Sequence, residues 1–226
     1  ARYHPDGSRE TLGTNRDRAL RAVPSVPESL RHLRALFLGS TDPRTQAAVL
    51  MALGTPELIV LDTMIHWVRQ YRDEFLEVAR RAHIVLMAED EAIELGHGDV
   101  EAAVSQLLHG GCSWVVVKRG AAGSTAFGNE CTLTVTSPRP SAAVDPTGAG
   151  DAFAGGLVDA LCAHGSVAPS ADAMESALRR ASVLGSLAVE DFSLSCLLRV
   201  ARAEVEARSR AVQVEVWGID SHRQVK

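Results

Sequence analysis

The chain has 226 residues, 46% hydrophobic and 4% aromatic, and its 28 acidic and 23 basic residues give a net charge of -5; this suits one sizeable core. The charges are interspersed with no basic stripe, which excludes the phosphate-neutralising surface of a nucleic-acid binder. Cys112, Cys131, Cys162 and Cys196 form no Cys-x-x-Cys pair and no apolar run reaches the roughly 18 residues of a membrane span, so a zinc site, a disulfide framework and a membrane partner are not expected, and a reducing cytoplasm fits best.

Residues 1 to 33 are polar and broken by Pro5, Gly7, Gly13, Pro24 and Pro27, which predicts loop or edge structure. The first residue is Ala rather than Met, so processing, trimming or truncation is expected to have set this start. From Arg34 the pattern changes. Ala35 to Leu38 is a short apolar run, Thr41 or Asp42 can cap a helix with Pro43 at its first position, and Ala47 to Leu53 continue it. Leu58 to Leu61 is the next apolar run, followed by a helical pattern through Trp67, Val68, Phe75 and Val78. The alternation recurs at His83 to Met87, a helix over Val100 to Leu108, and Trp114 to Val117. Short apolar strands separated by amphipathic helices predict a parallel sheet covered on both faces. Beyond Lys118, Ser124 to Phe127 and Cys131 to Val135 read as antiparallel strands at one sheet edge, and three helices are expected from about Gly150, Asp172 and Leu194. No repeat or low-complexity tract is present, and a single domain over 1–226 is expected.

The segment richest in chemistry is Val144-Asp145-Pro146-Thr147-Gly148-Ala149-Gly150-Asp151-Ala152-Phe153-Ala154-Gly155-Gly156. A Gly-Ala-Gly turn that opens a helix can aim backbone N–H groups at one spot, where the helix dipole adds positive potential. An anion is expected there. Asp151, in the first turn, stands where a carboxylate could take a proton from a hydroxyl approaching phosphorus. As a bare Gly-x-Gly-Asp the same residues would fit a first-turn acid and a tight connection. A dinucleotide-binding turn is rejected because Phe153 stands where Gly or Ala belongs and the turn comes late in the chain, and no Gly-x-x-x-x-Gly-Lys-Ser/Thr occurs.

The whole string resembles the signature of the ribokinase-like (PfkB) carbohydrate kinases. The resemblance implies a three-layer α/β/α sandwich with a mostly parallel sheet, in which Gly148, Ala149 and Gly150 form the anion hole and Asp151 is the catalytic base. It also implies ATP as phosphoryl donor, Mg2+, a sugar or nucleoside as the small-molecule partner, and homodimerisation as an option. Ala88-Glu89-Asp90-Glu91 is similar to the family's Asn-x-x-Glu motif, which gives Glu91 a magnesium role through water, although Ala88 replaces the Asn. A helix-start acid is the alternative for Glu91. Val115 to Gly123 resembles the segment lining the nucleotide site, with Lys118, Gly120 and Gly123 as nucleotide-binding residues; a hairpin turn with a solvated Lys-Arg pair fits Lys118 as well. Asp62 in Leu61-Asp62-Thr63-Met64-Ile65-His66-Trp67 resembles a segment of one branch of the family and becomes a substrate-binding candidate, with helix capping as its alternative. Ser182, in Ala181 to Ser186, looks like part of the helix beside adenine, and Asp145 and Thr147 correspond to positions whose carbonyls hold a monovalent cation, K+.

The resemblance runs from about Tyr3 to Arg208. It implies that the family's first strands, a sugar-contacting Gly-Gly segment and most of the lid are missing, and that Tyr3 to Leu12, turning at Asp6-Gly7-Ser8, is a remnant of a lid-adjacent hairpin. An active kinase fragment, a shortened nucleotide-binding or scaffold protein, and a module completed by another chain all fit.

Overall fold

A computed structural model describes residues 2–3, 9–10, 24–165 and 169–218. The strands β1 (Arg2–Tyr3) and β2 (Arg9–Glu10) pair antiparallel, with Tyr3 opposite Arg9. This agrees with the expected hairpin, whose turn at Asp6 to Ser8 lies outside the described residues.

The main sheet has seven strands in sequence order: β3 (Ala35–Leu38), β4 (Leu58–Asp62), β5 (Ile84–Ala88), β6 (Trp114–Lys118), β7 (Ser124–Gly128), β8 (Cys131–Val135) and β9 (Val214–Gly218). The first four run parallel and the last three antiparallel. Helices α1 (Pro43–Leu53), α2 (Ile65–Gln70), α3 (Arg72–Ala79), α4 (Glu89–Leu95) and α5 (Val100–His109) precede the hairpin strands. Helices α6 (Ala149–His164), α7 (Ala171–Ala188), α8 (Ser195–Arg199) and α9 (Arg202–Ala211) follow them.

Strand side chains alternate between faces, and the two halves of the core divide accordingly. Leu58, Val60, Ile84, Leu86, Trp114 and Val116 pack against α6, α7 and α9. Ile59, Leu61, Val85, Met87, Val115 and Val117 pack against α1 to α5. Both faces are covered, so the strands read as unbroken apolar runs, and the result is the expected α/β/α sandwich.

Three details depart from the sequence reading. The helical pattern from Trp67 to Val78 is two helices, broken at Tyr71 with φ -139° and ψ 45°. Val68 and Phe75 are seven residues apart, about two turns, so the apolar spacing stays in phase across the break. The expected last helix is likewise two, α8 and α9, separated by extended backbone at Val200 and Ala201. Strand β9 was not anticipated. It is an edge strand with mostly exposed side chains, and its short Val-Glu-Val-Trp alternation lacks the apolar run that marks a central strand.

Candidate active site

The parallel strands β4, β5 and β6 end, at their C-terminal edge, on Asp62, Ala88 and Lys118. Open α/β sheets bind ligands in the crevice beyond these ends. All three residues continue the series that faces α6 and α7, since they follow Val60, Leu86 and Val116 by two positions. Lys118 Nζ donates to both carboxylate oxygens of Asp62, at 2.9 and 3.1 Å. The carboxylate is fixed in turn by the Thr63 N–H at 3.0 Å, while Gln46 Nε2 donates to the carbonyls of Gly39 and Asp62 and ties α1 to the same strand end. Burial pushes the Asp62 carboxyl above its ordinary range; the Lys118 charge opposes this and Asp151 reinforces it.

Glu91 opens α4 one turn beyond β5. Its Oε2 accepts the Ala88 N–H at 2.8 Å, satisfying a helix-start amide. Burial raises its pKa to about 7, partly offset by that amide and by Lys118, with Asp62 and Asp90 adding repulsion. Lys118 is thus bonded to Asp62 and acts on Glu91 through its charge alone.

The glycine-rich turn arrives from the other layer. Gly148 is the N-cap of α6 with φ +84°, a left-handed conformation that favours glycine, and no side chain among the described residues caps the helix. The Ala152 N–H donates to Gly148 O at 2.8 Å, and that of Ala149 to Pro146 O at 3.3 Å. Among the described residues the Gly150 and Asp151 amides stand ahead of the first helical bond, and the Ala149 amide turns to Pro146. A Cβ built on Gly150 would lie 3.7 Å from Lys118 Nζ, so the turn meets the strand-end charges directly. Asp151 is exposed in the first turn. Just upstream, Asp145 Oδ1 accepts the Thr147 N–H at 2.9 Å, which holds the Asp145 carboxyl below its usual range.

Close packing of α6 on α7 sets the turn's height. A Cβ on Gly156 would come within 3.1 Å of Ala181 Cα, and one on Gly185 within 3.3 Å of Ala149 O, so small residues let the helices approach. Ser182 is buried on α7, and its Oγ has no protein partner among the described residues. Gly120 and Gly123 lie in the short 3-10 turn after Lys118, at φ +54° and +98°. A Cβ on Gly123 would stand 2.0 Å from Val135 O, so Gly123 is required by the β7 and β8 hairpin itself. Ser124 is a neighbour the sequence reading missed. It pairs with Lys118 across the ladder, and its buried Oγ also lacks a partner among the described residues. Its signal was its place directly after the glycine turn.

Asp62, Lys118, Glu91, Gly150 and Asp151 therefore meet at one place. Gly120 and Gly123 lie in the turn that follows Lys118, Ser182 lies on α7, and Asp145 and Thr147 lie just before the α6 turn. No group of three or more His, Cys, Asp or Glu with metal-holding geometry occurs among the described residues. Isolated carboxylates beside orphan amides fit a magnesium ion carried mainly by phosphate oxygens and water rather than by a protein cage.

The fold is that of an α/β protein whose parallel strands end at this crevice, and comparison with known proteins places it further. Residues 44–197 match the pfkB family of carbohydrate kinases. A cytidine kinase of Thermococcus kodakarensis is 31% identical over 163 residues, covering 69% of this chain and 58% of that protein. A putative ribokinase II of E. coli superposes with a TM-score of 0.62 at 25% identity, covering 81% of this chain and 61% of that one. Aminoimidazole riboside kinase of Salmonella enterica, complexed with aminoimidazole riboside and an ATP analogue, gives 0.62 at 20% identity over 77% and 62%. The chain belongs to the pfkB carbohydrate kinase family. It spans about three fifths of the length of these relatives.

Proposed function

We propose that this chain carries the phosphate-handling part of an ATP-dependent kinase that phosphorylates a hydroxyl of a nucleoside or sugar. The observation that carries this reading is the uncapped N-terminus of α6, with Asp151 in its first turn, set against the Lys118 ammonium at the strand ends. The curated relative is a cytidine kinase, and one structural neighbour is complexed with a riboside, which favours a nucleoside-like acceptor.

In this reading the Gly150 and Asp151 amides hold the γ-phosphate, with the dipole of α6 adding to their pull. Asp151 accepts the proton of the acceptor hydroxyl as its oxygen bonds to phosphorus and the bond to the β-phosphate oxygen breaks, leaving ADP. Glu91 would hold magnesium through water, and the ion would neutralise charge on the phosphates. Lys118, Gly120, Gly123 and Ser182 border the nucleotide, and the carbonyls of Asp145 and Thr147 offer a place for K+. A second reading is a nucleotide-binding module that uses the same phosphate site without turnover.

ADP release from MgATP across a panel of nucleosides and sugars tests the proposal. Asp151→Asn is expected to lower kcat by about 10²- to 10⁴-fold with nucleotide affinity nearly unchanged. Full activity in that variant would remove the base assignment, and MgATP binding without turnover of any acceptor would favour the module.

A further inference from the structure

Lys118 reaches Asp62 across an intervening strand. The ladder sets Lys118 level with Ala88 on β5, and Asp62 level with Leu86 one pleat lower on β4. Two strand spacings, about 10 Å, separate β6 from β4, so the lysine must lie flat over β5 to make its bond. It crosses at Ala88, whose methyl leaves the path open. A longer side chain there would block that path, and an amide would compete for the ammonium.

The pair is built rather than incidental. Asp62 is 4% exposed, its carboxylate is anchored by its own Thr63 amide, and its carbonyl is anchored by Gln46. The lysine side chain is 17% exposed. An ammonium has three N–H donors, so the two contacts to Asp62 leave capacity for another acceptor. The Gly150 position lies beside it, 3.7 Å away measured to a Cβ built there. The ammonium thus stands next to the turn whose first amides open α6.

We propose that Lys118 is the cation that stabilises the transferred phosphoryl group, and that Asp62 is a positioning residue holding Lys118 over the turn rather than a residue that binds the acceptor. Ala88 permits the arrangement. This rests on the kinase reading and gives the site a specific cationic partner for the terminal phosphate. It predicts that Lys118 reads the γ-phosphate, and therefore that it separates ATP from ADP.

Calorimetric titration of the chain with MgATP and with MgADP tests this. Lys118→Met should weaken ATP binding about 10- to 100-fold, the worth of a charge-assisted hydrogen bond, and ADP binding much less. Asp62→Asn should shift the ATP-to-ADP ratio in the same direction, and so should Ala88→Leu, which removes no charge. Lys118→Arg should restore part of the ratio. The double variant Lys118→Met with Asp62→Asn leaves no unpaired buried charge, so it keeps the ratio measurable if a single variant unfolds. A merely structural pair would lower both affinities together or only the thermal midpoint, and that pattern would overturn the proposal. Tighter ATP binding in Asp62→Asn would also overturn it, because Asp62 would then compete with phosphate for the lysine. An unaltered chain that binds neither nucleotide removes the kinase reading and this inference with it. Binding of both nucleotides with an unchanged ratio in Lys118→Met removes this inference alone.

Discussion

Replacing Gly150 by alanine should raise stability and lower nucleotide affinity at once. Gly150 is the second residue of α6 and has no positive φ, so its backbone accepts a Cβ. Alanine in a helix is favoured over glycine by roughly 0.5–1 kcal/mol, and the lower figure suits a first turn. For a chain of this size about 0.5 kcal/mol corresponds to a thermal midpoint higher by about 1–2 °C. The new methyl would stand 3.7 Å from Lys118 Nζ, an ordinary contact that strains nothing. It would nevertheless occupy the space where a phosphate oxygen must touch both the amides and the ammonium. Losing one such donor contact weakens binding of a charged group by about 1.5–3 kcal/mol, so MgATP affinity should fall about 10- to 100-fold. Thermal unfolding and calorimetry on the same sample read both effects. A raised midpoint with unchanged MgATP affinity would mean that the turn is not where phosphate binds. A lowered midpoint would mean that Gly150 is required by the fold.

Two further substitutions separate fold from site. Gly123→Ala sets a Cβ 2.0 Å from Val135 O at φ +98° and should destabilise the chain by more than about 3 kcal/mol, seen as a thermal midpoint lower by roughly 6–12 °C. Gly120→Ala meets nothing within 4 Å and should cost only about 1 kcal/mol for its left-handed φ; equal losses at the two positions would contradict this geometry. For Glu91, the folded carboxyl keeps its proton up to about 7 while the unfolded chain releases it near 4.5, so the folded state binds more protons in between and stability falls as pH rises. In metal-free buffer Glu91→Gln should therefore match the unaltered chain at pH 5 and exceed it at pH 8, and parallel pH curves would exclude a buried, protonated Glu91.

Much of this was legible in the sequence because a parallel sheet covered on both faces writes its strands as apolar runs, and Leu58 to Leu61 and Trp114 to Val117 are such runs. Asp42 with Pro43 announced α1, and the side chain of Asp42 accepts the Arg44 N–H as a cap should. The glycine turn before Asp151 was visible because Gly148-Ala149-Gly150 carries no bulky side chain at a helix start, and Gly148 does take a left-handed φ there. The Asp62 and Lys118 pair was not. Its partners are 56 residues apart, and only the ladder register reveals that both face α6. The strand β9 escaped because an edge strand has little need of apolar side chains, and the break at Tyr71 because it preserves helical phase. The bond from the Ala149 amide to Pro146 depends on how the turn closes, which composition does not encode.

Everything proposed for this site depends on phosphate being held between the turn at Gly150 and Lys118. A crystal structure of the chain with a non-hydrolysable ATP analogue and magnesium tests it most directly. The terminal phosphate is expected within hydrogen-bond distance of the Gly150 and Asp151 amides and of Lys118 Nζ, with the Asp151 carboxylate free on its outer side. An analogue seated elsewhere, for example in the open groove between Ser137 to Ser141 and Arg208 to Gln213, with the Gly150 turn and Lys118 untouched, would contradict the account.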